Sequence, residues 1–183
     1  MRIIGGYLKG TIIHPPSWFK ARPTTDRARE SIFNILSHSI GLQDQDVLDL
    51  CAGSGAMSLE FISRGAQSVV SVDQHKKSAD FIKSLYKQYE IENGQVVFGD
   101  ALAFIKKSPE AQFDIIFADP PYAWPGYHQM VNDIFENKLL KPNGWLIVEH
   151  LQGLSLSHDN FMESRNYGQS VFSFFCNRLT VES

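Results

Sequence analysis

The sequence predicts an α/β fold in which a doubly wound, mostly parallel sheet carries helices on both faces and ends in an antiparallel hairpin. Three observations predict it. An apolar run at residues 47–51 passes into Gly53-Ser54-Gly55 and then a helical stretch, the order in which open parallel sheets present a ligand-binding turn. Strand-like and helix-like stretches alternate from there to residue 149, as in βαβ units. The acids Asp49, Asp73 and Asp100 mark the ends of successive strands, the edge at which such sheets hold ligands.

Each element has its own signal. Residues 2–4 and 11–13 are short β-rich stretches parted by Gly5, Gly6 and Gly10, which suits a small hairpin. Pro15 and Pro16 break the chain. Thr24-Thr25-Asp26 offers helix caps, and Ile32, Phe33, Ile35, Leu36 and Ile40 recur at helical spacing, predicting an amphipathic helix over residues 24–37 that Gly41 stops. After the strand at 47–51, Met57, Leu59, Phe61 and Ile62 belong to a helix closed by Gly65. Strands follow at 68–72, 95–98, 113–118 and 145–149, separated by helices at 78–89, 101–107 and 127–137. Beyond Gly153, residues 160–166 and 171–177 form two β stretches around Gly168, a hairpin completing the sheet. Without repeats or linkers, residues 1–183 are expected to form one domain, with 1–40 as a hairpin-and-helix appendage and 41–183 as the core.

Composition excludes several roles. At 183 residues and 43% hydrophobic, the chain can bury one sizeable core. Cys51 and Cys176 are too few for a disulfide framework and lack C-x-x-C spacing, which fits a reduced, cytoplasmic setting. No apolar run approaches the length of a membrane span or a signal peptide, so no membrane partner is expected. The six histidines show no ligand spacing, so no metal is expected. The net charge of −3 is uneven, with residues 1–30 at +4 and the remainder at −7. A local phosphate-contacting arm and a solvated basic face fit that asymmetry equally well.

The turn Ala52-Gly53-Ser54-Gly55 lets a ligand approach the backbone at a helix N-terminus. A dinucleotide fingerprint would place a third glycine or alanine at position 58, where this chain has Ser58. Asp49, at the end of the preceding strand, would repel a pyrophosphate and attract an ammonium group. A cofactor with a positive charge near this loop follows, and S-adenosyl-L-methionine has one where NAD does not. Asp73, eighteen residues after Gly55, stands where such folds grip ribose hydroxyls, a role compatible with capping the next helix. Asp100, with Ala101 beside it, could accept from an adenine amino group or cap a helix.

Asp119-Pro120-Pro121-Tyr122, directly after the strand at 113–118, is the most informative tetrapeptide. Two prolines remove backbone donors and stiffen the loop. Asp119 and the Pro120 carbonyl then make a fixed pair of acceptors beside the Tyr122 ring. An exocyclic amine of a base fits them, because accepting from its N–H groups favours the pyramidal form whose lone pair can attack a methyl group. Tyr122 would stack on the base, an interaction of about 1–3 kcal/mol, once the base has left its own stack.

The G-x-G turn with Asp49, the acid Asp73 and the D-P-P-Y loop resemble amino-group methyltransferases of the Rossmann-like class I fold. More narrowly, Met1-Arg2-Ile3-Ile4-Gly5-Gly6, the segment Arg22-Pro23-Thr24-Thr25-Asp26-Arg27-Ala28-Arg29-Glu30, Ser31-Ile32-Phe33-Asn34 and the D-P-P-Y loop resemble the RsmD family of bacterial 16S ribosomal RNA guanine-N2 methyltransferases. The resemblance covers nearly the whole chain. It implies that Asp49, Ala52, Gly53, Ser54 and Gly55 face the methionine part of the cofactor, Asp73 the ribose, and Asp119, Pro120, Pro121 and Tyr122 the target guanine. Arg22, Thr25 and Arg29 would lie where cofactor and RNA meet. The partner it implies is 16S rRNA in the assembling or assembled small ribosomal subunit, met by a monomer.

The mechanism expected is direct in-line transfer. No covalent enzyme intermediate is needed, since the amine is itself the nucleophile and no cysteine lies near the D-P-P-Y loop in sequence. The helix over residues 24–37 should pack through Ile32 and Phe33 and leave its charged face free for RNA. An adenine-N6 DNA methyltransferase could use the same tetrapeptide but would need a target-recognition region. A protein glutamine methyltransferase would favour Asn at position 119, a non-catalytic RNA-binding assembly factor would lose Asp119 or the glycine turn, and a nicotinamide dehydrogenase is the fold-level alternative.

Overall fold

The computed structural model describes residues 1–19, 25–108 and 113–178. In chain order the elements are α1 (Asp26–Ser39), β1 (Asp46–Leu50), α2 (Ala56–Ser63), β2 (Ser68–Asp73), α3 (Lys76–Gln88), β3 (Gly94–Phe98), α4 (Ala101–Lys107), β4 (Phe113–Ala118), α5 (Tyr127–Glu136), β5 (Leu140–Leu151), β6 (Phe161–Tyr167) and β7 (Ser170–Cys176). The sheet order is β3-β2-β1-β4-β5-β7-β6. The first five strands pair in parallel, and β7 pairs antiparallel with both β5 and β6.

The central strands read as continuous apolar runs because both their faces are covered. Side-chain alternation sends Val47, Ile115, Phe117 and Ile147 into one core with Ile32, Phe33 and Leu36 of α1 and Leu59 and Phe61 of α2. It sends Leu48, Leu50, Ile116 and Val148 into a second core with Ile105 of α4 and Met130 and Ile134 of α5. Fully burying a side chain such as Ile32 or Leu36 contributes about 1.5–3 kcal/mol, so α1 is anchored mainly by this face. The chain winds outward from β1 in one direction through β2 and β3, and in the other through β4 and β5. The crevice beyond the carboxyl ends of β1 and β4 is therefore the topological switch point, where open α/β sheets hold ligands.

Most elements fall within one or two residues of the sequence reading, and two of the departures have a clear physical cause. The strand expected at 145–149 runs from Leu140 to Leu151. Its polar start carries no alternation, and Lys141 holds it to the sheet by ion pairs of 2.8 Å to both Asp46 and Asp114. The helix expected over 24–37 occupies Asp26–Ser39, with Thr25 outside it as the N-cap whose hydroxyl accepts from the Ala28 N–H at 3.2 Å.

The N-terminal hairpin narrows to a single antiparallel bridge between Arg2 and Ile12. The reason is that the arm satisfies much of its backbone on α2. Ile4 and Gly5 donate to the Glu60 carboxylate at 2.8 Å each, Tyr7 donates to the Ser63 carbonyl at 2.8 Å, and Leu8 donates to the Ser63 hydroxyl at 2.9 Å. Glu60, fully buried, is held in turn by Arg64 at 2.8 Å. The appendage is thereby fastened beside the glycine turn.

Candidate active site

The glycine turn leaves β1 through Cys51, Gly53 and Gly55, all with positive φ, and Gly55 is the N-cap of α2. A side chain at Gly55 would meet Ile82 at 3.0 Å as well as an unfavourable backbone conformation. A cavity of about 350 Å³ opens over this turn. Asp49, Ala52, Gly53, Ser54, Asp73, Asp100, Ala101, Asp119, Pro120, Pro121, Tyr122 and Arg29 all line it. Sheet topology brings together what the chain separates, because Leu50 and Ala118 are partners across β1 and β4 and the Asp119 N–H donates to the Leu50 carbonyl at 3.2 Å.

Two of the residues singled out from sequence do not line that cavity. Gly55 supports the turn from behind. Thr25 is spent on capping α1, while Arg22 lies outside the described residues.

Asp49 points to the same side of β1 as Val47 and is 1% exposed. Its carboxylate accepts from the Ser58 hydroxyl at 2.5 Å, Ser58 meets the Ser71 hydroxyl at 2.7 Å, and Ser71 meets the Tyr86 hydroxyl at 2.7 Å. Burial raises the Asp49 carboxyl to about 7 despite that bond, with the Asp73 charge adding to the rise. Burial likewise holds the Tyr86 hydroxyl up at about 12. Ser58 thus replaces the fingerprint glycine for a reason. Asp49 needs a donor, and residue 58 sits on the α2 face turned toward it.

Asp73 braces the loop. One carboxylate oxygen accepts from the Gly53 N–H at 2.8 Å and the other from the His75 N–H at 2.7 Å. Asp100 is the N-cap of α4, accepting from the Ala103 N–H at 2.9 Å. Both acids line the cavity while making these backbone bonds, and a carboxylate oxygen that accepts one bond keeps a second lone pair.

At the other end of the cavity the D-P-P-Y loop follows β4. Burial raises the Asp119 carboxyl well above its ordinary range, and the charges of Glu149 and Asp49 raise it further. The Pro120 carbonyl accepts from the Tyr127 hydroxyl at 3.0 Å, a contact that no sequence signal marked. Burial and the Asp119 charge keep Tyr127 protonated throughout the physiological range, so it serves as a fixed donor that orients the loop. Tyr122 is 40% exposed, with its hydroxyl 3.2 Å from that of Ser170 at the start of β7. Trp124 lines the cavity and packs edge-on against Tyr127 at 5.7 Å between ring centroids.

The fold adds one residue to the site and changes one sequence expectation. Cys51 is far from residue 119 in the chain yet lines the same cavity. Its thiol is pushed far up by burial and then by the charges of Asp73 and Asp119, so it remains a neutral thiol and a poor nucleophile. The charged face of α1 is also only partly free. Arg27 and Glu30 are exposed, whereas Arg29 is 1% exposed and turned into the cavity wall.

Known proteins of this architecture share its sequence features. Residues 1–176 match the family model described as "Conserved hypothetical protein 95". The chain is 36% identical over 152 residues to ribosomal RNA small subunit methyltransferase D of Escherichia coli K12, covering 82% of this chain and 72% of that one. It is 34% identical over 153 residues to the putative rRNA methyltransferase YlbH of Bacillus subtilis, covering 82% of each. Among solved structures, the putative methyltransferase yhhF from Escherichia coli superposes with a TM-score of 0.85 at 27% identity, covering 98% of this chain and 99% of that one. With its class I methyltransferase sheet, its D-P-P-Y loop and these relatives, the chain belongs to the RsmD family of ribosomal RNA methyltransferases.

Proposed function

We propose that this protein transfers a methyl group from S-adenosyl-L-methionine to the exocyclic N2 amino group of a guanine in 16S rRNA of the small ribosomal subunit. The observation that carries the reading is the placement of Asp119 and the Pro120 carbonyl, two acceptors beside an exposed tyrosine, in the cavity that the glycine turn floors. The names of the relatives support the substrate, and the cavity fits the cofactor. Asp49 is a buried carboxyl that an ammonium group would hold ionised. Positive-φ glycines bring the backbone to the cavity. Bound there, the cofactor supplies an electrophilic methyl group on a sulfonium.

The protein's own residues position the acceptor. Tyr122 stacks on the flipped base. Asp119 and the Pro120 carbonyl accept from its amino group, with Tyr127 fixing the carbonyl from behind. As the nitrogen–carbon bond forms and the sulfur–carbon bond breaks, the amine sheds one proton. Asp119, whose raised carboxyl makes it the more basic acceptor, takes that proton and passes it to water. Positioning and preorganised electrostatics supply most of the rate. Since Asp119 must be ionised to accept, activity rises with pH through its raised pKa and levels off above it.

The exposed Arg27 on α1 and the arm fastened to α2 suit contact with the RNA backbone. Action as a monomer in the cytoplasm, on assembling or assembled subunits, completes the reading. Among the described residues no helix is long and apolar enough to cross a membrane. The test incubates the protein and methyl-labelled S-adenosylmethionine with under-modified small subunits, free 16S RNA and DNA. N2-methylguanosine from a ribosomal sample is the expected product, and N6-methyladenine from DNA would replace this reading with the DNA enzyme.

A further inference from the structure

Glu149 is a buried acid to which the methyl-transfer chemistry described above gives no role. It lies near the end of β5 and is 2% exposed. Val148 is the register partner of Ala118 on β4, so Glu149 and Asp119 take the next position along two neighbouring parallel strands. The Asp119 N–H still bonds the Leu50 carbonyl, which carries the strand geometry through that residue. Neighbouring strands stand about 4.8 Å apart. Both residues follow the alternation of Phe117 and Ile147, which turns their carboxyls to the sheet face that packs on α1 and α2. On its other side Glu149 is opposite Phe172 of β7, a member of the same apolar core.

Two carboxyls side by side and away from water resist ionising together, because each charge raises the energy of the other. Glutamine would fill the same volume and keep its hydrogen-bonding capacity without that repulsion, so an acid at position 149 has an electrostatic consequence. Burial raises the Asp119 carboxyl most, and Glu149 comes before Asp49 among the charges that raise it further. The remaining ionisable groups about Asp119 are Cys51 of the glycine turn, Tyr122 of its own loop and Tyr127 of α5, and both Cys51 and Tyr127 stay neutral. Arg29 of α1 and His75 at the start of α3 also line the cavity, with Arg29 bonded to Asp26.

Building on the proposed methyl transfer, we infer that Glu149 is a positioning residue that acts through Asp119, its carboxylate strengthening Asp119 as the acceptor of the substrate amine and setting the pH above which the reaction runs. Glu149 does not line the cavity. It works from behind the wall, where its charge meets Asp119 across the strand pair.

The test is the pH profile of kcat/KM for methylation of under-modified small subunits at saturating S-adenosylmethionine, which reports the essential ionisation of the enzyme that meets the RNA. In Glu149→Gln, which keeps the shape and removes the charge, the acid limb should move down by about 1–2 pH units. At pH 6 that variant should then keep roughly tenfold more of its plateau rate than the wild type keeps of its own. Glu149→Asp, which keeps the charge, should leave the limb nearer its wild-type position. A limb that stays in place in Glu149→Gln, with or without a loss of rate at every pH, would overturn the inference and leave the methyl transfer standing. Absence of methyl transfer by the wild-type chain at any pH would overturn both. A second measurement needs no substitution. In carbon-13 spectra of the wild-type carboxyls, the Asp119 and Glu149 resonances should each respond at two midpoints, as strongly interacting groups do. Independent single-step titrations of the two would overturn the inference even if Glu149→Gln fails to fold.

Discussion

The two ends of the cavity are built on different principles. At the glycine-turn end the carboxylates are tied into the protein, Asp49 through Ser58, Ser71 and Tyr86, and Asp73 through the backbone of Gly53 and His75. At the D-P-P-Y end the carboxyl of Asp119 is raised by burial and then by neighbouring acids, and the aromatic beside it is open to solvent. A site that receives the same small ligand each cycle gains from full preorganisation. One that receives a base flipped from a large RNA keeps an open face and holds only the acceptors rigid.

Substitutions can separate the two ends. The largest effect is expected at Asp119, where Asp119→Ala should lower kcat by about 10³-fold, as for loss of a preorganised transition-state group, with cofactor affinity by calorimetry nearly unchanged. Near-normal turnover in that variant would remove Asp119 from the mechanism. Tyr122→Ala should lower kcat/KM for RNA by about 10–100-fold through lost stacking, and Tyr122→Phe should retain activity because the ring does the stacking. If the two variants behave alike, the hydroxyl contact to Ser170 matters more than the ring.

At the opposite end, Ser58→Ala removes the donor that opposes burial at Asp49 and should weaken cofactor binding by about 3–10-fold. That loss should be greatest below pH 7, with the RNA KM unaffected. A change in RNA KM would mean the ends are not separable. The smallest effect is protonic. Asp49 near 7 is mostly neutral at pH 6, and a bound ammonium group would ionise it. Cofactor binding at pH 6 should therefore release up to about one proton, fading above pH 8, as read by calorimetry in buffers of different ionisation enthalpy. Proton uptake instead would contradict the pairing. The same raised carboxyl stabilises the ligand-free fold fully below its ordinary range, and that contribution is lost as pH rises through about 7.

Much of this was legible in the chain because it depends on local order. The strand–glycine–helix succession, the acids at strand ends and the D-P-P-Y loop are contiguous patterns. The helix at Ala101–Lys107 and the strand at Phe113–Ala118 match the sequence reading residue for residue. The N-terminal arm was less legible, since its hydrogen-bond partners lie on α2 more than fifty residues away. The start of β5 was hidden because ion pairs from Lys141, and no apolar alternation, attach it to the sheet.

The sequence by itself determined the fold class, the carboxyl-end crevice and the residue types at each end of it, because hydrophobic periodicity and turn chemistry act over a few neighbouring residues. Only the tertiary structure decided that Cys51 would enter the cavity as a neutral thiol, that Tyr127 would hold the Pro120 carbonyl, and that Arg29 would turn inward with two donors unpaired. Those outcomes follow from which strands pair and how deeply each group is buried, and burial sets the charge state and hydrogen-bonding needs of a side chain that in the sequence is only a residue type.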